Sequence, residues 1–435
     1  MALQNILEEK VLPKVMAFVN TKTVQAVKDG FSATIGLTII GSIFLLIANF
    51  PYKPVVDFLK ETGWRAYLLQ ANNATYNILA LASVFTIGYY YAKHERIEAL
   101  NSGILSLVTF MILINHFHIL PDKERIDGVI PAVYLGARGM IASIIIGVIV
   151  GKIYSWFIKN KIIIKMPDGV PPGVANSFVG LIPGTVIVTG SVLLYAFFDI
   201  VSKTTFVDFI YKVLSLPLQG MTSSFGGAII MAFAMSFLWW FGIHGSTIVS
   251  GIMTGVLMSN MLANQEILDA GQVLTAANGY IVTFNFRTML QIITGSGITI
   301  GIVVYMLFFA KSQQFKQLGK LSIGPALFNI NEPVLFGTPI VMNPILIIPF
   351  IGVPIVATIV AYASMKLGLV PIMGNVNPPW TTPPIISGFL VGGWRLAALQ
   401  AIIMVISIFG YFPFIRKQDQ LNYEQEQMII SENKG

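Results

Sequence analysis

The sequence contains no cysteine, which excludes disulfide bonds, thiolate metal sites and covalent chemistry on sulfur within this chain. Charged residues make up only 11% of its 435 residues, less than half of the roughly 25% that is usual in soluble domains. Hydrophobic residues make up 55%, and the mean hydropathy is +0.75. This composition excludes collagen, a disordered chain and a DNA-binding protein, and it predicts an integral membrane protein.

The charge balance predicts which end of the chain faces the cytoplasm. The 27 Lys and Arg residues exceed the 20 Asp and Glu residues by seven, an excess typical of positive cytoplasmic loops rather than of a nucleic-acid surface. The first thirty residues mix lysines with apolar residues at helical spacing and lack the apolar run of a signal peptide. They predict an amphipathic helix on the cytoplasmic face of the bilayer, with four lysines near anionic headgroups: Lys10, Lys14, Lys22 and Lys28.

Long uncharged stretches predict an all-α polytopic membrane protein with ten transmembrane helices, two re-entrant hairpins and amphipathic interfacial helices. The loops at 93–96 and 159–165 are basic and lie inside if the crossings alternate from a cytoplasmic N-terminus. Arg416 and Lys417 end the last helix, which places the tail inside as well. The predicted crossings are 31–50, 74–92, 99–120, 139–158, 173–198, two within 225–260, 288–310, one between the hairpins, and 396–415.

The apolar stretch from Phe225 to Asn260 is too long for one crossing. Its 36 residues would span about 54 Å as a helix, whereas the bilayer core is only about 30 Å thick. Gly242 and Gly245 flank His244 near the middle of the stretch. The sequence therefore predicts a break at these residues and two short crossings.

Two later segments contain too many prolines to form continuous helices. Residues 321–365 contain six prolines and a single charge, Glu332, and residues 367–394 are uncharged but contain five prolines. Non-helical backbone at membrane depth survives only where protein or a wet cavity surrounds it. We therefore predict re-entrant hairpins at 323–342 and 371–388, and such paired interruptions indicate a transporter's binding site.

The sequence predicts that Glu332 and His244 are the titratable groups that carry chemistry, because each is isolated in a long apolar region. A carboxylate inside a membrane is costly unless it is paired, neutralised or wetted. Glu332 is therefore a buried acid bonded to hairpin backbone, or a substrate acceptor or general base. His244 is a structural histidine or a ligand contact at the break. His116 and His118 do not predict a metal site, since residues two apart on a helix face different ways.

The hairpins also contain the groups that a sugar site needs. Hydroxyl groups on a sugar suit amides and carboxylates, and its CH face suits an aromatic platform. Amides are present in both predicted hairpin tips: Asn329, Asn331, Asn375 and Asn377. Trp380 supplies a platform in the second, whereas Trp239 and Trp240 are a second wall or part of an interfacial aromatic belt. No Walker loop, paired catalytic carboxylates or Ser-His-Asp pattern is visible, so a phosphoryl donor would come from elsewhere.

Three segments carry a family resemblance: FGIHGS at 241–246, NINEPVLFGTPIVMNP at 329–344 and PWTTPP at 379–384. They resemble enzyme IIC (EIIC), the membrane component of the phosphoenolpyruvate-dependent sugar phosphotransferase system (PTS). Within it, the lactose, cellobiose and N,N'-diacetylchitobiose branch is most similar, and the resemblance extends over the whole chain. The Asn-Glu-Pro hairpin is its most specific part.

The resemblance implies a homodimer in the bacterial plasma membrane that carries a disaccharide inward for phosphorylation on its C6 hydroxyl. The donor would be a phosphocysteine of a separate cytoplasmic EIIB, which EIIA serves in turn, and no cofactor is implied. Glu332 would orient or deprotonate the hydroxyl, and His244 would hydrogen bond to the sugar. Residues 1–212 would form the dimerisation half, 213–415 the substrate half and 416–435 the tail. The further predicted sugar contacts are Gly242, Asn329, Asn331, Asn377 and Trp380.

Other transporter classes remain as alternatives at this point. An ion-coupled secondary transporter also uses hairpins and a midplane acid. A single acid permits proton coupling but argues against a sodium site built from several carboxylates. A passive channel would need a repeated pore ring, which is not visible. Among the disaccharides, diacetylchitobiose is preferred over cellobiose and lactose, although no acetamido pocket is recognisable.

Overall fold

The computed structural model is mostly helical and describes residues 12–50, 53–120, 124–167, 178–242, 244–338, 340 and 343–432. Over these residues the elements run in the following order: α1 Leu12–Val19, α2 Lys22–Ala48, α3 Lys53–Glu61, α4 Trp64–Tyr76, α5 Leu79–His94, α6 Leu100–Ile112, β1 Phe117–Ile119, β2 Arg125–Asp127, α7 Ala132–Leu135, α8 Met140–Lys159, α9 Leu181–Phe197, a π-helix Phe198–Ser202, α10 Phe206–Ile210, a π-helix Tyr211–Ser215, α11 Leu216–Thr222, α12 Phe225–Trp240, α13 Gly245–Asp269, α14 Phe284–Phe286, a π-helix Arg287–Gln291, α15 Ile300–Phe308, α16 Gln313–Leu327, α17 Glu332–Gly337, α18 Ile347–Lys366 and α19 Ile386–Glu432.

Several of these helices match a bilayer in length and composition. Within the described ranges six are long and apolar enough to cross one: α2, α8, Leu181–Ser202, α13, α18 and Ile386–Ser431. Phe206–Thr222 and Phe225–Trp240 form a further pair, bent by 74°, that passes the same criterion together. The other predicted crossings coincide with shorter helices, so the count of ten stays a prediction.

The chain divides into two compact units. The first is formed by residues within Met1–Gly41, Gln70–Gln219 and Ser250–Ser259, and the second by residues within Ser42–Leu69, Gly220–Val249 and Asn260–Gly435. In the first unit, α5 packs against α8 and α6, and α9 packs against α6. The buried side chains of this unit include Val84, Phe110 and Tyr154. The division into halves at residue 212 was predicted on other grounds and stays a prediction.

An ion cluster at the ends of three helices contains Lys22, one of the four N-terminal lysines, whose predicted place near lipid headgroups stays a prediction. Lys22 begins α2 and lies 2.5 Å from the carboxylate of Glu95, which also accepts a hydrogen bond from Lys159. Lys28 lies 3.3 Å from Asp29. Burial would raise the pKa of Glu95, but the hydrogen bonds from Lys159 and Lys22 outweigh it and hold this pKa below its usual range. Lys22 and Lys28 both lie in the continuous helix α2, and each is paired with an acid. Lys10 lies outside the described residues.

The second unit contains both predicted hairpin segments. In it, α12 packs against α18, α15 packs against α16 and α19, and α18 packs against α19. The first hairpin segment is interrupted between the end of α16 at Leu327 and the start of α17 at Glu332. Residues 371–385 of the second contain no helix. The predicted breaks in the helices are therefore observed, while their re-entrant course through a membrane stays a prediction.

A carboxylate near the end of α19 fastens the start of α16. Asp419 is only 1% exposed, and it accepts hydrogen bonds from the backbone N–H groups of Lys311 (2.7 Å) and Ser312 (3.1 Å), from the Ser312 hydroxyl (2.6 Å) and from the Tyr305 hydroxyl (3.1 Å). Glu426, two turns later, accepts from the next two backbone N–H groups at 2.9 and 3.0 Å. Two acids thus satisfy the free N–H groups at this helix start, where a negative charge is also favoured by the helix dipole.

Two predicted crossings differ from the structure. The stretch 99–120 is helical only to Ile112, and Phe117–Ile119 then pairs antiparallel with Arg125–Asp127. His118 consequently lies in a strand, and the ring of His116 contacts the carbonyl oxygen of Met111 at 2.9 Å. The stretch 288–310 is not one helix either, because α15 begins only at Ile300 after a buried loop at 292–299. Apolar composition alone does not reveal such an interruption, because a buried loop is as apolar as a buried helix.

Candidate functional site

The predicted break between α12 and α13 is confirmed, and it presents His244. Helix α12 ends at Trp240, Gly242 has a φ of +76°, and His244 is the N-cap of α13. The φ value explains the glycine, since a side chain there would be strained. The Nδ1 atom of His244 accepts a hydrogen bond from the backbone N–H of Thr247 at 3.2 Å and contacts the Thr247 hydroxyl at 2.8 Å.

This capping bond decides where the ring carries its proton. A backbone N–H group only donates, so Nδ1 of His244 must present its lone pair to Thr247. A neutral imidazole then carries its proton on Nε2, and this N–H points away from the cap. Because the side chain is exposed, His244 is prepared to donate a hydrogen bond to a ligand.

Glu332 lies at the start of α17, directly before Pro333. Its side chain is exposed and accepts no hydrogen bond from any described residue, and it is near enough to His244 to interact electrostatically with the ring. An acceptor and a donor from two distant parts of the sequence are thus brought together. The proximity of Glu332 to His244 offers a hydroxyl-bearing ligand one acceptor and one donor.

Asn329 joins the turn before Glu332 to two other segments. It has a φ of +62°, a conformation that asparagine tolerates better than most residues. Its Oδ1 accepts from the backbone N–H of Thr294 at 2.7 Å, and its Nδ2 donates to the carbonyl oxygens of Trp380 (2.7 Å) and Thr382 (3.0 Å). The structure therefore brings the two predicted hairpin tips together through this one side chain.

Asn331 is 4% exposed and holds the same turn through two further hydrogen bonds. Its Nδ2 donates to the carbonyl oxygen of Ser296 at 2.7 Å and to the hydroxyl of Thr299 at 2.9 Å. Both amide hydrogens of Asn331 are already used, as are those of Asn329. Their contact with a sugar stays a prediction, and the observed bonds give them a role in holding the backbone that presents Glu332.

Three further residues were predicted as sugar contacts or as a wall of the site. Trp380 is 59% exposed, as a platform would be. Asn377 is 6% exposed, and its carbonyl oxygen accepts from the Ser42 hydroxyl at 2.6 Å. Trp239, which the sequence left undecided between a wall and a belt residue, packs on the His244 ring with centroids 4.5 Å apart. Its indole Nε1 is buried without an acceptor among the described residues. Because its side chain is buried, Trp239 does not fit a lipid-facing belt, and its role as a wall of a sugar site stays a prediction.

The loop at 292–299 was not predicted from the sequence. Every residue from Ile293 to Ile300 is buried, and Thr294, Gly295, Gly297 and Ile298 all have positive φ. Its backbone groups are hydrogen-bonded to side chains, including the hydroxyl of Tyr411 on the carbonyl oxygen of Gly297 at 2.6 Å. The run Thr-Gly-Ser-Gly inside an apolar stretch was the available signal, because two closely spaced glycines indicate unusual backbone conformations.

A single methyl group added at Gly245 is expected to lower the stability of the protein strongly. A Cβ atom here would lie 2.0 Å from the carbonyl oxygen of Met235 and 3.0 Å from the side chain of Leu238. Because backbone rather than a flexible side chain blocks the space, we expect Gly245→Ala to destabilise the protein by about 2–3 kcal/mol. Thermal unfolding of the purified protein in detergent measures this change.

Gly352→Ala is the matched control for Gly245→Ala. Gly352 lies within α18, and a Cβ atom there meets nothing within 4 Å. Alanine is favoured over glycine in a helix by roughly 0.5–1 kcal/mol, so the control should unfold at the wild-type temperature or slightly above it. Equal unfolding temperatures for the two variants would show that the close approach at Gly245 is not needed.

Comparison with known proteins identifies the family of this chain. The family model described as "Phosphotransferase system, EIIC" matches residues 28–354, which is well over half of the sequence. The chain belongs to the EIIC family. As an EIIC it is an integral membrane component of a phosphotransferase system, with a sugar as substrate and an EIIB protein as partner. Family membership does not favour the ion-coupled alternative.

Curated relatives match this EIIC along nearly its whole length. It is 38% identical to the lichenan permease IIC component of Bacillus subtilis (strain 168), over 97% of this chain and 94% of the relative. It is 35% identical to the cellobiose-specific EIIC component of Geobacillus stearothermophilus, over 97% and 95% of the two chains. The predicted membership of the PTS sugar permeases is thereby confirmed.

A solved structure also matches this EIIC. The crystal structure of the transporter ChbC, the IIC component from the N,N'-diacetylchitobiose-specific phosphotransferase system, superposes with a TM-score of 0.92. The two are 39% identical, and the match covers 97% of this chain and 99% of ChbC. The fold of this EIIC is therefore that of ChbC.

Proposed function

We propose that this EIIC binds a β-linked disaccharide, with N,N'-diacetylchitobiose as the first choice, and carries it inward for phosphorylation at C6 by phospho-EIIB. The observation that carries the proposal is the proximity of an exposed carboxylate, Glu332, to an exposed imidazole, His244, whose ring packs on the indole of Trp239. The names of the cellobiose-specific relative and of ChbC support a β-linked disaccharide as substrate.

The two side chains have complementary roles in the proposed transfer. Glu332 accepts the hydrogen bond of the C6 hydroxyl and takes its proton as the oxygen attacks phosphorus. A bond forms between this oxygen and phosphorus, the bond between phosphorus and the cysteine sulfur of EIIB breaks, and the sulfur leaves as a thiolate. The Nε2–H of His244 donates to the sugar near the reacting oxygen and stabilises charge that develops there. Because the chain has no cysteine, this phosphocysteine belongs to a separate EIIB, which EIIA recharges.

The proposed membrane arrangement has ten crossings, hairpins at 323–342 and 371–388, and both termini in the cytoplasm of a bacterium. Residues 1–212 provide the contacts of a homodimer, and residues 213–415 enclose the sugar. The break before Glu332 and the non-helical stretch at 371–385 support the hairpins. The alternation of basic loops supports the orientation.

Transport into membrane vesicles tests the proposed function. Vesicles that contain the protein, EIIB, EIIA, the general PTS proteins and phosphoenolpyruvate should accumulate labelled diacetylchitobiose as its 6-phosphate. A protonophore should leave the initial rate unchanged, because phosphoryl transfer rather than an ion gradient drives uptake. Accumulation of unmodified sugar, or loss of uptake with the protonophore, would contradict the proposal. Titration of the purified protein with diacetylchitobiose, cellobiose and lactose then ranks the substrates.

A further inference from the structure

The buried loop at 292–299 meets both segments that carry the proposed catalytic groups. Ser246 follows His244 by two residues, and its hydroxyl lies 2.7 Å from the hydroxyl of Ser296 in the loop. Asn331 directly precedes Glu332, and its Nδ2 donates to the carbonyl oxygen of Ser296 at 2.7 Å. One residue of the loop is thus bonded to the His244 segment through its side chain and to the Glu332 segment through its backbone.

The loop is well suited to hold these two segments at a fixed separation. Ser246 and Ser296 are 7% and 8% exposed, and Asn331 is 4% exposed, so water competes little for their hydrogen bonds. Positive φ values at Thr294 and Ile298 are unfavourable for residues with side chains. Such conformations persist where the surroundings dictate them, and they cluster at sites where geometry matters for function.

We propose that Ser296 is a positioning residue that sets the separation of His244 and Glu332. The inference rests on the proposed function, because it gives Ser296 a role only in the reaction of these two groups with a sugar. Ser296 does not touch the sugar. Its hydroxyl holds the first turn of α13, whose N-cap is His244, and its carbonyl oxygen holds the residue before Glu332. Loss of the hydroxyl keeps the bond from the loop to the Glu332 segment and removes the bond from Ser296 to the His244 segment.

The proposal predicts a specific kinetic effect of Ser296→Ala. Small misplacements of reacting groups cost up to about 100-fold in rate, so we expect sugar phosphorylation at saturating sugar to fall roughly 10-fold or more. The dissociation constant of the sugar should change less than about twofold, since most contacts with the sugar remain. Ser296→Thr keeps the hydroxyl and should recover most of the rate. An unchanged rate in Ser296→Ala would overturn the proposal.

Ser246→Ala shows whether the two hydroxyl groups act through one bond. If they do, Ser246→Ala should slow phosphorylation as Ser296→Ala does, and the double variant should be no slower than either single variant. Losses that multiply in the double variant would contradict a shared bond. If Ser296→Ala does not fold, Ser246→Ala decides alone, because it removes the hydroxyl that Ser296 contacts. A wild-type phosphorylation rate in Ser246→Ala would then overturn the proposal.

Ser407→Ala controls for general loosening of the loop. The hydroxyl of Ser407 donates to the carbonyl oxygen of Ile298 and accepts from the N–H of Gly301 at 3.0 Å. It is buried like Ser296 but is bonded to the loop two residues farther along, at Ile298. We expect Ser407→Ala to lower the unfolding temperature while the phosphorylation rate per folded protein stays near wild type. A rate as low as that of Ser296→Ala would show that any loosening suffices and would refute positioning by Ser296.

The outcome for Glu332→Gln separates this inference from the proposed function. If Glu332→Gln phosphorylates sugar normally, the proposed role of Glu332 as general base fails, whatever Ser296→Ala does. If Glu332→Gln is inactive and Ser296→Ala is fully active, the proposed function stands and the role of Ser296 is refuted.

Discussion

Replacing Glu332 by glutamine is expected to lower the rate of sugar phosphorylation by roughly 10²–10⁴-fold, the usual contribution of a positioned general base. Glutamine has nearly the same shape and still accepts a hydrogen bond through its amide oxygen, but it does not take up the proton of the C6 hydroxyl. The carboxylate of Glu332 accepts no hydrogen bond from the described residues, so its replacement should disturb little else. Binding of the sugar should weaken much less than phosphorylation.

Two measurements on the same preparation test this expectation. Isothermal titration gives the dissociation constant of the sugar without EIIB, and formation of the 6-phosphate with excess phospho-EIIB gives the rate. Glu61→Gln is the matched control, since Glu61 is exposed at the end of α3 and should behave as wild type in both assays. Full phosphorylation by Glu332→Gln would exclude a general base here, and a parallel loss of binding and rate would make Glu332 a binding group only.

Replacing Asp419 by alanine is expected to destabilise the second unit on the order of 4 kcal/mol. The change leaves the N–H groups of Lys311 and Ser312 and the hydroxyls of Ser312 and Tyr305 without their acceptor. Each buried donor that loses its acceptor costs about 1–3 kcal/mol, and relaxation of the structure recovers part of this. The effect should appear as a lower thermal unfolding temperature in detergent.

Glu424→Ala provides the comparison for Asp419→Ala on the same helix. Glu424 is exposed and accepts one hydrogen bond from Gln420, four residues earlier, at 3.1 Å. Exposed contacts of this kind contribute at most a few tenths of a kcal/mol, so its loss should scarcely change the unfolding temperature. Asp419→Asn keeps one acceptor oxygen and should fall between the two. Equal unfolding temperatures for Asp419→Ala and Glu424→Ala would refute the role of Asp419 in fastening α16.

The helix breaks that were predicted from the sequence are those marked by glycine or proline. Glycines beside His244 predicted the end of α12 and the start of α13, and prolines predicted the interruption before Glu332 and the non-helical stretch at 371–385. These residues act locally, through φ or a missing N–H group, so reading them needs no knowledge of distant parts of the chain. Isolated titratable groups in apolar stretches likewise pointed to Glu332 and His244.

Features that depend on distant partners were not predictable in this way. The loop at 292–299 is uncharged like the helix that was predicted, and it is held by Asn329, Asn331 and Tyr411 from far along the chain. Asp419 resembled an ordinary charge in a polar tail, yet it is buried against the segment that leads into α16. Ser296 could not be singled out among many serines. In each case the role of the residue depends on a hydrogen-bond partner that is distant in the sequence and cannot be read from the residue itself.

Helix α19 changes direction at Gly392 and Gly393, where φ and ψ leave the helical range. At Gly393 φ is +67° and ψ is −163°, a region that is essentially restricted to glycine, yet a Cβ atom there would meet nothing within 4 Å. The restriction is thus one of handedness rather than of room. A D-amino acid introduced at this position by chemical ligation would fit the bend. The corresponding L-amino acid would instead favour a straight, continuous helix. Stereochemistry at a single α-carbon therefore decides whether the short piece at 386–391 can diverge from the long remainder of the helix.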